Sequence, residues 1–106
     1  MVIYEVNLRV DEDISTAFED WLNGHVVEML AIEGFLGVQR FDRLDPPPSG
    51  DAPASRWWTL HYALASEVAL ENYLMHHAAR MRDEGLARFE GRFEATRRVL
   101  RPREAP

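Results

Sequence analysis

The sequence predicts an α+β fold of ferredoxin-like type, β-α-β-β-α-β, with a four-stranded antiparallel sheet and two helices on one face. Two observations and a rule of connection handedness carry this. Val2 to Val10 alternates, with Val2, Tyr4, Val6, Leu8 and Val10 facing one way and Ile3, Glu5, Asn7 and Arg9 the other. Period two over this length defines a strand with one buried face. Two stretches then show apolar residues at helical spacing, each followed by a glycine and a strand-like run. Right-handed crossovers place both helices on the same side of the sheet.

The elements follow in order. Asp11 or Asp13 is suited to cap the first helix, because a short carboxylate accepts from free backbone N–H groups. Ile14, Phe18, Trp21, His25 and Met29 form its buried stripe, to about Ala31. Gly34 stops it, and Phe35 to Leu44 reads as the second strand. Residues 45–55 include three consecutive prolines, which offer no N–H to a ladder, so a long exposed hairpin connection is expected. Arg56 to Leu64 is the third strand. Ser66 caps a second helix whose buried face carries Leu70, Tyr73, Leu74, His77, Ala78 and Met81, and Gly85 is expected to end it. Residues 86–91 read as a turn, Arg92 to Leu100 as the fourth strand and residues 102–106 as a tail. Residues 1–101 form a single expected domain.

Composition removes several function classes. The chain has 106 residues and a formal charge of −6, and an acidic surface repels a phosphate backbone, so no nucleic-acid partner is expected. No apolar run approaches the roughly 20 residues that span a bilayer, and the alternating N-terminus is not a signal peptide. Cysteine is absent, which removes thiolate chemistry and suits a reducing cytoplasm. All twelve basic residues are arginine, as expected of a GC-rich bacterial genome. There is no phosphate loop, nucleophile elbow or His-Glu-x-x-His helix. His76 and His77 are about 100° apart on a helix and lack a third ligand, so neither a metal nor any other cofactor is expected.

The sheet face opposite the helices should carry Glu5, Asn7, Arg9, Trp57, Thr59 and His61. The second strand adds Phe35, Gln39 and Phe41, or the other parity if a bulge shifts the register; the fourth adds Arg97 or its neighbours. Large aromatics among polar groups on an uncovered face mark an interface or a pocket, so a twofold homodimer packed sheet on sheet is expected. His61, in the middle of an aromatic strand, shares this face with Glu5 and Asn7. A carboxylate beside an imidazole fixes its tautomer, as a general base requires. The competing reading is an interface histidine satisfied by hydrogen bonds. His25, on an apolar helix face, reads as a satisfied core histidine. The cluster Arg97, Arg98, Arg101 and Arg103 reads first as a solvated edge.

The stretches Ile3 to Leu8, Gly34 to Leu36, His61–Tyr62, His77 to Phe93 and Arg97 to Pro102 resemble the dimeric α/β-barrel superfamily that contains the antibiotic-biosynthesis-monooxygenase-like proteins. More closely they resemble an uncharacterised bacterial domain-of-unknown-function family within it. The resemblance covers nearly the whole chain and implies the fold and a homodimer. Its haem-degrading members combine an Asn on strand one, a Trp on strand three and a His on helix two. Asn7 and His76 or His77 match in type and element. The Trp does not, because Tyr62 and Ala63 stand near that strand end, while Trp57 and Trp58 stand at its start. The first expectation is therefore a binding or structural homodimer without catalysis of its own. The alternative is a cofactor-independent, monooxygenase-like enzyme on a small aromatic or phenolic molecule. The candidate catalytic residues are His61, Asn7 and His77, and the candidate ligand-binding residues are Glu5, Trp57, Thr59, Tyr62, Gln39 and Arg97.

Overall fold

The structure is a computed structural model that describes residues 1–48 and 50–104. Ser49 of the proline-rich connection and Ala105 and Pro106 of the tail lie outside the described residues. Strand β1 (Val2–Asp11) leads through a 3-10 turn (Glu12–Ile14) into α1 (Ser15–Leu30). Then come β2 (Phe35–Asp42), β3 (Ser55–Leu64), α2 (Glu67–His76), α3 (Ala78–Phe89) and β4 (Phe93–Leu100). The sheet order is β2-β3-β1-β4, with every neighbouring pair antiparallel. The helices cover one face. Between the layers lies a core that includes Tyr4, Leu8, Phe18, Leu22, Met29, Leu60, Tyr62 and Met81.

Four local expectations are corrected. Neither Asp11 nor Asp13 caps α1: the chain enters the helix through the 3-10 turn, and the N-cap residue is Ile14, whose side chain makes no capping hydrogen bond. Both carboxylates are instead held by Arg92, and Asp11 also by Arg9, because a guanidinium is the stronger partner. The second helix is two helices, broken at His77, whose φ is −128°. No proline or glycine stands there, so the sequence carries no signal for the break. Gly85 lies inside α3 and does not end it. A Cβ there would stand 2.9 Å from Trp21 Cη2, so the glycine serves close helix packing. Helix α3 therefore runs through Leu86 to Phe89, where a turn was expected. Ser66 behaves as anticipated, its hydroxyl accepting from the Ala69 N–H.

Gly34 ends the α1 region with φ +91°, where a side chain is strained, and a Cβ on it would lie 2.5 Å from Ala69 Cβ. It brings α2 against the turn before β2. A register shift between Phe35 and Gly37 then sets the face of β2. Phe35 consequently points to the helices, with its ring 5.2 Å from Tyr73 and 5.8 Å from Tyr62. Gln39 and Phe41 point away from them, opposite His61 and Thr59.

Candidate functional site

The two faces of the sheet present two candidate sites. On the open face, the registers set Arg98, Glu5, His61 and Gln39 in one cross-strand row, and Thr96, Asn7, Thr59 and Phe41 in the next. Glu5 is the hub and is only 4% exposed. Its carboxylate accepts from His61 Nε2 at 2.9 Å, from Asn7 Nδ2 at 2.9 Å and from Arg98 Nε. Thr59 Oγ1 donates to Asn7 Oδ1 at 2.7 Å. The Arg98 hydrogen bond, then those of Asn7 and His61, outweigh burial and hold the Glu5 carboxyl down at about 2. An ionised carboxylate only accepts, so His61 Nε2 carries the hydrogen, and in the neutral ring Nδ1 is the acceptor. Phe41 meets the His61 ring edge-on at 5.0 Å, and Arg43 stacks over Trp57 at 5.5 Å. This network is centred on the Glu5 carboxylate. Glu5 has no proton to give at neutral pH, and both of its carboxylate oxygens are engaged inside the protein.

The structure thus brings Glu5, Asn7, Thr59 and His61 together, with Gln39 and Trp57 on the same face. It does not bring Tyr62, Arg97 or His77 to them. Tyr62 is buried on the helix side, 2% exposed. Arg97 pairs in register with Val6 and so takes the helix-side parity, leaving Arg98 on the open face. The register of β4 could not be read because its polar residues obscure the alternation. His77 sits in the helix layer at the α2–α3 break, with its ring parallel to Tyr73 at 6.4 Å. No group of three or more His, Asp or Glu side chains able to hold a metal occurs among the described residues.

The second site lies between the layers. A cavity of about 200 Å³ opens between α1, α3 and the β1–β4 side of the sheet. Phe18, Trp21, Leu22, Met29, Tyr73 and Phe93 give it apolar and aromatic walls; Tyr4, His25, Arg82 and Arg97 supply the polar groups. Trp21 and His25, four residues apart on α1, stack at 4.7 Å. His25 Nδ1 is buried and has no hydrogen-bond partner, so the expected satisfied core histidine is not satisfied. Burial holds the His25 imidazole below its usual range, against the charge of Glu28 and with that of Arg97. Burial likewise pushes the Tyr73 hydroxyl up to about 12 and the Tyr62 hydroxyl further, so both stay protonated and can donate. Arg82 donates to Tyr4 Oη at 2.9 Å. Sequence spacing placed His25 and Trp21 on one stripe but gave no sign that the helix layer stands off the sheet around them.

The fold is that of the antibiotic-biosynthesis-monooxygenase-like proteins, a ferredoxin-like antiparallel sheet with helices on one face. A Deinococcus radiodurans protein classed by name with the antibiotic biosynthesis monooxygenases matches with TM-score 0.72 and 13% identity, over 100% of this chain and 96% of its own. SnoaB, a cofactor-independent oxygenase from Streptomyces nogalater, matches with TM-score 0.68 and 10% identity, over 98% and 95%. Rv0793 from Mycobacterium tuberculosis matches with TM-score 0.63 and 15% identity, over 99% and 98%. At these identities the likeness is one of fold. No curated protein matches in sequence. The chain belongs to the family described as Domain of unknown function (DUF4286), whose family model matches residues 1–102.

Proposed function

We propose that this protein is a homodimeric small-molecule-binding protein, with one ligand site in the helix–sheet cavity of each protomer. The open sheet face forms the contact between protomers. One observation carries the ligand site: a buried, unpartnered imidazole nitrogen, His25 Nδ1, in an aromatic cavity. A polar atom buried without a partner costs about 1–3 kcal/mol, and a ligand group that met it would recover that. The volume is compatible with a ligand: at about 200 Å³ it exceeds the roughly 150 Å³ apolar cavity that admits benzene.

Binding is favoured over catalysis by the same geometry. Acid–base work needs a base held by a second group, and His25 has no orienting partner among the described residues. On the open face His61 has such a partner, but Glu5 is itself locked by Asn7 and Arg98. That supports the interface reading of His61 over the catalytic one, and it offers no support for a role of Asn7 or His77 in chemistry.

The test is a panel of one- and two-ring aromatic compounds read by thermal shift and by quenching of Trp21. A ligand that binds only the folded state at a hundredfold excess over Kd stabilises it by about 2.7 kcal/mol. The wild type is expected to respond. Ala95→Phe, which places a ring in the cavity, should keep the fold by circular dichroism and lose the response. A response that survives Ala95→Phe and disappears in His61→Ala would move the site to the open face and end this reading.

A further inference from the structure

The cavity has a charged rim. Arg82 on α3 and Arg97 on β4 both line it, and both residues are exposed to solvent. Among the described residues neither has a carboxylate within ion-pair distance. The arginines elsewhere show what is usual in this protein: Arg9 pairs with Asp11, Arg92 with Asp11 and Asp13, Arg98 with Glu5. Arg40, Arg88 and Arg103 also lack a carboxylate among the described residues, but of the twelve arginines only Arg82 and Arg97 line the cavity. Arg82 gives one N–H to Tyr4 Oη and keeps the rest of its donor fork free among the described residues. The charge of Arg97 reaches into the cavity far enough to act on His25 and Tyr73.

From this rim, and resting on the cavity as the ligand site, we propose that the ligand is a small planar carboxylic acid bound as its anion. Its carboxylate lies at the mouth between Arg82 and Arg97. Its ring enters the cavity beside Trp21 and Tyr73, and a polar ring atom or substituent meets His25 Nδ1. Guanidinium groups match a carboxylate with paired, charge-assisted hydrogen bonds. The aromatic walls favour a flat apolar body, and a volume of about 200 Å³ suits one or two fused rings. A carboxylate is taken over a phosphate ester because it is flat and conjugated with its ring, and the aromatic walls favour a flat body.

The experiment compares 2-naphthoate, its neutral isostere 2-naphthamide and 2-naphthyl phosphate, titrated calorimetrically into wild type, Arg97→Gln and Arg82→Gln/Arg97→Gln. Arg97 has no protein partner among the described residues, so its replacement leaves folding intact; unchanged naphthamide binding checks that the double variant is folded. The wild type should bind naphthoate about tenfold or more tighter than naphthamide, the scale of a hydrogen bond to a charged group. That preference should shrink in Arg97→Gln and vanish in the double variant. Equal binding of acid and amide to the wild type would overturn the anion site while leaving the cavity reading intact. Phosphate ester tighter than carboxylate would overturn the assignment of the ligand class. No binding of any of the three would overturn the anion site, and with it the cavity reading if the wider aromatic panel is also silent.

Discussion

At the scale of single residues, Glu5 and His25 are opposite cases of a buried polar group. Glu5 is saturated by three donors, and its carboxyl sits near 2 against an ordinary 4.5. A carboxylate whose folded pKa is depressed stabilises the protein fully above its unfolded value and loses that contribution as pH falls through the folded one. The contribution should therefore be complete above about pH 4.5 and fade towards pH 2. Allowing for the solvent around Arg98, whose side chain is 67% exposed, it is on the order of 1–2 kcal/mol. Urea unfolding of wild type and Glu5→Gln at pH 7 and pH 3 checks this. The variant should be less stable at pH 7, and the gap should narrow at pH 3; a gap independent of pH would show that the Glu5 charge contributes nothing. His25 predicts the reverse effect. His25→Phe keeps the ring stacked on Trp21 and removes the orphan nitrogen, so it should raise the stability of the ligand-free protein by about 1 kcal/mol. The same change should weaken any ligand that meets Nδ1. A destabilised His25→Phe would show that the nitrogen is satisfied in solution.

At the scale of elements, how much could be read in advance depended on what each position must satisfy. Strand β1 was legible residue by residue because it lies between β3 and β4, with one face in the core and the other on the polar network. Strand β2 was half legible. Its residues were recognised, but the bulge at Phe35–Gly37 reverses the faces, and such a shift leaves no mark in the alternation that follows it. The Glu5–Asn7–Thr59–His61 set was legible because strict alternation put all four on one face. The cavity was not, because a gap between layers depends on how far the helices stand off, and no pattern along one chain encodes that. Glycines were ambiguous in the same way. Gly34 and Gly85 both read as helix stops, yet one is needed for its positive φ and the other for the Trp21 ring. Gly34→Ala should cost about 2–4 kcal/mol, the sum of a strained left-handed alanine and a core overlap. Adding Ala69→Gly should relieve the overlap and leave the backbone part, measured as partial recovery of the urea midpoint. Full recovery would mean that φ +91° carries no cost here.

At the scale of the whole molecule, the polar network raises a question that a lone protomer does not answer. An uncovered antiparallel face ordinarily carries small polar and charged side chains free in solvent. This one carries a nearly buried carboxylate, half-buried Trp57 and His61, exposed Phe41, and an apolar end row of Leu100, Ile3, Ala63 and Gly37. An apolar end row beside a polar centre whose buried carboxylate is already bonded suits sheet-on-sheet packing, because Glu5 would not be left an unpaired charge when water is removed. A stable contact of this kind buries about 800 Å² on each partner, an area within reach of a four-stranded face. The proposed dimer therefore predicts that Ile3→Asp combined with Phe41→Asp yields a folded monomer. Two buried, unpaired charges per protomer should weaken association at least about a hundredfold, which sedimentation velocity across a concentration series would measure. The ligand cavity lies wholly within one protomer on the other side of the sheet, so that monomer should still bind 2-naphthoate. Loss of binding together with dissociation would mean that the partner shapes the cavity through the sheet. A wild type that sediments as a monomer at every concentration would remove the interface, and His61 and Glu5 would then stand as a hydrogen-bonded pair on an uncovered sheet face.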